Sequence, residues 1–536
     1  MAQIIQICKI LFFAFFLCFH LTTPLKAENS YGNFLSWNFA KNTKDVDSLE
    51  NYLSKIKIDS LNFQNLEELF FESVLLNDWQ KARKISQSIL SQDEYNLIAN
   101  LFEFVASITG GKTNSLDFIK KINVEEFDLN FVKVLLLWTK EDAQKKENII
   151  EDCIPLLCLH LGLTSSLEGK NDISKFYYSK IKQNEFGSFR VKELIIIDHI
   201  KNQEFELADI IISDLINSSL NLQKYNSDYL KENLSILDPV ENSSHGLAET
   251  FYNISSWYYT KGMYKYAAFF GELSLRLRPN FKAMNLLLVG AYEKLGYLEL
   301  SLNKIGDFKV ENIYLFKFLR LKLLIFDKLG LNKNSIEHLE EYLVKFPNNK
   351  EIQVLLADRL RQAKRFTESI NLYNLLLKND SIQDKWSLLY SRGIAYEQSG
   401  KWSKAEKDLI YALNLNPKNP YILNYLGYSW LDRNKNIKEA LNLLETAVDI
   451  EPSDAYIVDS LGWAYYLSGF FDKSIYYLEK AVALIPNDAT LNDHLGDVYW
   501  MVGRKLEAIS QWKRVLIFDP NFKKKNQVRK KINSGL

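Results

Sequence analysis

Four prolines near the C-terminus, Pro417, Pro452, Pro486 and Pro520, stand 35, 34 and 34 residues apart, and the chain between them repeats in phase. No other feature constrains the fold so tightly. A chain that is self-similar at this period is built from short helix pairs, none of which buries its apolar face alone, so stacked neighbours share one continuous core. A proline cannot continue a helix, so each of the four ends a second helix and opens the next unit.

The period can be followed residue by residue. In the last four units a small residue on the first helix recurs as Gly393, Gly427, Gly462 and Gly496, with a ring three residues later at Tyr396, Trp430, Tyr465 and Tyr499. Beyond the bend, a small residue returns at Ala405, Ala440, Ser474 and Ala508. Leu409, Leu444, Leu478 and Trp512 come next, followed by Ala412, Ala447, Ala481 and Val515. Glycine and alanine let helices approach closely, while the rings and leucines fill the space between ridges. This pattern resembles the tetratricopeptide repeat, most clearly in NYLGYSWLDR, IVDSLGWAYY and NDHLGDVYW. The resemblance implies an all-α fold, a right-handed superhelical α-solenoid of antiparallel helix pairs. It extends to long exported tetratricopeptide proteins of alphaproteobacteria, which join an irregular N-terminal array to a regular C-terminal one.

Glycines in the bends carry the lattice upstream. They fall at Gly262, Gly296, Gly330, Gly400, Gly469 and Gly503, and the two double intervals pass Lys364 and Asn434 where a bend is due. About eight units therefore fit between residues 247 and 520. Further upstream, Gly162, Gly169, Ser174 and Tyr178 match one unit and Ile196, Ala208 and Ile212 the next. Phe70 with Ala82, and Phe104 with Gly111, suggest two older helical pairs. The period lapses over 124–155 and again over 218–246, where Asn, Ser and Asp accumulate. The expected order is an irregular helical array over 28–217, an irregular connection over 218–246, the regular array over 247–520 and a basic capping helix and tail over 521–536. A solenoid grows in one dimension, so 536 residues need not divide into several globular cores.

Residues 1–27 read as a secretory signal. Lys9 precedes the apolar run Ile10–Leu21, which is short for a membrane span, and Ala27 offers a cut. The expected location is the periplasm or envelope, with no integral membrane domain once the signal is removed; retention of the run as an anchor is the alternative. Cys153 and Cys158 would be too far apart for a bridge on a continuous helix, which favours two buried thiols, whereas a break at Pro155 would permit a disulfide. Lys plus Arg and Asp plus Glu number 66 each, which gives no bias toward nucleic acid. The tail from Phe522 is locally basic, and Val528 with Ile532 offers it a buried side.

No catalytic motif, cofactor-binding loop or metal-ligand cluster is recognised. The chain reads as a non-catalytic scaffold for other proteins. The alternative is an enzyme, or an enzyme-activating subunit, acting on an envelope polymer through carboxylates such as Asp459 and Asp493. His494, flanked by Asp493 and Asp497, reads as a packed or capping residue. The family resemblance implies that four positions of each first helix line a concave groove. Carried onto this chain, the first row is Ser387, Tyr421, Tyr456 and Thr490; the second is Tyr390, Asn424, Asp459 and Asp493. The third is Ile394, Tyr428, Trp463 and Asp497, and the fourth Glu397, Leu431, Tyr466 and Trp500. Aromatic and acidic side chains dominate, so the expected ligand is a protein segment with apolar anchors and neutral or basic flanks.

Overall fold

A computed structural model of the chain describes residues 29–111, 115–122, 129–139, 152–181, 189–217, 226–306, 314–378 and 385–536. These residues form 29 α-helices and no strand. No helix among them is long and apolar enough to cross a membrane. The N-terminal run read as a signal, with its expected cut after Ala27, lies outside the described residues, as does 218–225 of the expected connection. Two compact units divide the chain, Met1–Leu331 and Asn332–Leu536. The division falls inside the run read as regular, because the first helices of that run pack onto N-terminal ones.

In the second unit, five helix pairs follow one another. They are Lys350–Gln362 with Phe366–Leu377, Lys385–Gln398 with Trp402–Leu415, Pro420–Asp432 with Ile437–Ile450, Ala455–Leu467 with Phe471–Leu484, and Ala489–Met501 with Lys505–Phe518. The helix Asn332–Lys345 precedes them and Lys525–Ser534 closes the array. Local chemistry sets the boundaries. Asn349, Asn419, Asp454 and Asp488 cap first helices by accepting backbone N–H groups of the opening turn. Pro417, Pro452, Pro486 and Pro520 each stand just beyond the end of a second helix. The bends need a left-handed residue: Gly400, Gly469 and Gly503 supply φ of 77°, 78° and 82°, while Lys364 and Asn434 take 62° and 53° at the two bends that lack glycine.

The repeat positions carry the packing. Ala405, Ala440, Ser474 and Ala508 are fully buried, as are Leu409, Leu444, Leu478 and Trp512 across from the helical glycines. A Cβ on Gly462 would lie 2.8 Å from Leu478, and one on Gly496 would lie 2.4 Å from Trp512, so neither position has room for a methyl group. Where serine replaces alanine, its hydroxyl is satisfied: Ser474 donates to the Gly462 carbonyl at 2.8 Å.

The first unit is also helical but closes on itself. Phe63–Leu75 packs on Tyr264–Leu277, with Phe70 and Phe71 at 5.7 and 4.9 Å from Phe269. The Tyr292 hydroxyl donates to the Leu75 carbonyl at 3.0 Å and Tyr297 to Glu72 at 3.0 Å, joining residues more than 200 positions apart. Upstream repeat positions are used as packing contacts: Ala82, Ser174 and Ala208 are fully buried, and Tyr178 fills the space over Gly162. Within the expected connection, Ser227–Glu232 is helical and Leu234–Leu237 a 3-10 turn. Two buried arginines fix it. Arg190 donates to the Leu237 and Asp238 carbonyls at 2.6 Å and to Glu249, while Arg278 pairs with Asp238 at 2.7 Å. Cys153 and Cys158 form a disulfide, contrary to the reading as two thiols. The helix begins at Pro155, so Cys153 lies outside it and its Cα comes within 5.5 Å of that of Cys158.

Candidate protein-binding face

The candidate face consists of the first helices from Lys385 to Met501, and the structure sorts its sixteen predicted positions by depth. Tyr421 and Tyr456 of the first row are 51% and 54% exposed. Tyr390, Asn424, Tyr428, Trp463, Tyr466 and Trp500 are half-buried. Ile394 and Leu431 are buried in the stack, as are the three carboxylates Asp459, Asp493 and Asp497.

Each buried carboxylate has a cationic or hydrogen-bonding partner within the protein. Asp459 receives the His494 imidazole at 2.9 Å. Asp493 and Asp497 share the Lys531 ammonium, at 2.8 and 2.6 Å, and Asp497 also accepts the Trp512 indole N–H at 2.9 Å. Burial alone would push His494 toward the neutral form, but the charge and hydrogen bond of Asp459, with Asp493 and Asp497 behind it, raise its pKa above the ordinary value. Burial likewise raises Asp497, against the opposing pull of Lys531. Asp459 and Asp493, the carboxylates of the enzymatic alternative, are thus engaged by His494 and Lys531. Among the described residues, no group of three or more His, Cys, Asp or Glu is arranged to hold a metal ion.

The aromatic side chains form two kinds of surface. Trp463 is sandwiched, 4.6 Å from Tyr466 and 4.1 Å from the His494 ring, so one edge of a three-ring stack faces outward. Tyr390 lies edge-on to Tyr425, whose hydroxyl donates to Glu397 at 3.2 Å; Arg433 reaches the same carboxylate at 2.6 Å. The Asn424 side-chain oxygen is buried and has no hydrogen-bond partner among the described residues. Trp500 differs from the rest. It is covered by the C-terminal segment, where a Cβ on Gly535 would lie 2.0 Å from its ring, and it packs on Trp512 at 5.5 Å.

Lys531, His494, Tyr425 and Arg433 are absent from the predicted rows, yet register points to Lys531. It stands 34 residues after Asp497, whereas His494 stands 35 after Asp459, one past the repeat position that Asp493 holds. Extending the third row by one repeat reaches Lys531.

Residues 390–455 match the tetratricopeptide repeat family profile. A TPR repeat-containing protein of Pseudomonas aeruginosa is 37% identical over 83 residues, 16% of this chain and 14% of that protein. The lipoprotein NlpI homolog of Haemophilus influenzae is 32% identical over 95 residues, 18% of this chain and 30% of that one. The matched stretches are thus a minor part of these relatives' own lengths. Among solved structures, MamA of Desulfovibrio magneticus RS-1 is 22% identical, with a TM-score of 0.29, over 33% of this chain and 98% of that one. A thermophilic TPR protein of Thermus thermophilus is 21% identical, with a TM-score of 0.30, over 35% and 98%. Repeat spacing, packing chemistry and sequence likeness agree that residues 390–455 are tetratricopeptide repeats.

Proposed function

We propose that this chain is a non-catalytic scaffold of the bacterial cell envelope that holds a segment of a partner protein along the first helices of its second unit. The observation that carries this reading is the pairing of exposed Tyr421 and Tyr456 with the half-buried rings Tyr390, Tyr428, Trp463 and Tyr466. Such rings provide wide amphipathic contact at modest entropic cost, and a buried anchor of this kind is worth about 2 kcal/mol or more. The compensated carboxylates refine the ligand. Because Asp459, Asp493 and Asp497 are paired within the protein, the C-terminal end of the face favours neutral flanks over basic ones, and the anchors remain apolar.

Three observations support the envelope. The apolar N-terminal run reads as an export signal, the Cys153–Cys158 bridge suits an oxidising compartment, and one relative is a lipoprotein homolog.

Affinity capture from envelope extracts, with Tyr421→Ala plus Tyr456→Ala as the control, tests the proposal. Both side chains are exposed, so helical content should be unchanged while recovery of the partner falls at least about tenfold. Recovery of the same proteins at the wild-type level by the folded variant would overturn it.

A further inference from the structure

The helix Lys525–Ser534 is half cap and half open surface. Val528 is fully buried and Lys531 turns inward to Asp493 and Asp497, which seats the helix on the last repeat. Further cations at this end of the unit include Lys513, Lys523, Lys524, Lys525, Arg529 and Lys530, and all but half-buried Lys525 are exposed. None of the six has a carboxylate at salt-bridge distance among the described residues. Of the nearby acids, Glu479 and Glu507 both hold Arg504 at 3.1 Å, while Asp519 accepts the Asn521 backbone N–H at 2.9 Å and keeps its charge. In a chain whose charges balance overall, this is a concentrated, net positive end.

Apolar groups accompany the charge. Leu506 and Ile517 on the last repeat's second helix are 82% and 70% exposed, among the most exposed large aliphatic side chains described. They are three helical turns apart, so they share one face, and Lys513 lies on that face between them. The same helix packs against the cap, and Ile517 leads directly into the turn that carries Lys523 and Lys524.

We infer that this end of the second unit docks on an anionic phospholipid membrane surface. Five of the six free cations are lysines, compact charges on long flexible stems that suit the diffuse negative field of a headgroup layer. A surface shaped for particular carboxylates of a protein would favour the planar fork of arginine. Exposed aliphatic side chains beside such charges are what an interfacial helix inserts at the boundary of headgroups and acyl chains. The inference does not rest on the binding face of the first helices, and the two can fail separately.

Flotation of the full chain with vesicles tests it, comparing phosphatidylcholine containing about a third phosphatidylglycerol with phosphatidylcholine alone at about 0.1 M salt. The anionic vesicles should bind at least about tenfold more tightly, and about 1 M salt should remove the difference. The reversal Lys523→Glu, Lys524→Glu, Arg529→Glu, Lys530→Glu keeps Val528 and Lys531 and should abolish the preference. If that reversal loosens the cap, Leu506→Ser with Ile517→Ser decides, and a folded double variant should bind anionic vesicles several-fold more weakly. Equal binding to both vesicle types, which the apolar N-terminal run alone would give, overturns the inference. So does wild-type affinity in either folded variant, or a reversal that alters only association between copies or with acidic proteins.

Discussion

His494 illustrates how a single buried side chain settles which charges the surface offers. Its ring is stacked on Trp463 and its Nδ1 is bonded to Asp459, so replacing it leaves a buried carboxylate without a partner. His494→Gln is expected to cost about 3 kcal/mol at pH 6. The folded-state pKa is raised, so this contribution is fully present below the ordinary histidine value and is lost as pH rises through the folded value. Urea midpoints for both proteins at pH 6 and pH 9 should show the gap narrowing at the higher pH; an equal gap would assign the loss to ring packing. Aromatic character was legible at this scale, because the family resemblance, carried along the register, picks out Tyr421, Tyr456 and Trp463. Charge was not, because whether Asp459 or Asp493 faces a ligand depends on what the following helix carries.

At the scale of elements, the cap shows what register can and cannot foresee. The sequence already separates Val528 and Ile532 from a basic face, and the helix Lys525–Ser534 buries Val528. Its inward lysine was hidden among five other basic residues until a partner one repeat away picked it out. Lys531→Met should destabilise the last repeat by about 3 kcal/mol, since Asp493 and Asp497 would then be buried without a cation. In a repeat array such a loss stays near the end. Hydrogen exchange should therefore quicken in Ala489–Met501 and Lys505–Phe518, and adding Asp493→Asn and Asp497→Asn should recover part of the protection. Uniform acceleration along the whole unit would contradict this account.

The whole molecule combines two kinds of folding problem. The second unit is joined through neighbouring helices, which is why its proline spacing could be read directly. Closure of the first unit depends on side chains such as Phe70 meeting Phe269 and Tyr297 meeting Glu72. No local pattern announces contacts between positions so far apart, and the degenerate repeats upstream gave only helical pairs. Phe70→Ala is expected to cost about 3–5 kcal/mol. It should release hydrogen-exchange protection in Phe63–Leu75 and Tyr264–Leu277 together, because both line one core; loss in only one of them would refute shared closure.

That closure also sets an order in time. The Leu75 carbonyl leaves the ribosome 217 residues before the Tyr292 hydroxyl that will bond to it. At roughly 5–20 residues per second, the apolar side of the early helices waits about 10–40 s for its partner. A newly made chain must therefore be kept from collapsing or aggregating through that interval, and a chaperone that holds Phe70 and Phe71 away from other nascent chains would supply what the first unit lacks until its later helices appear.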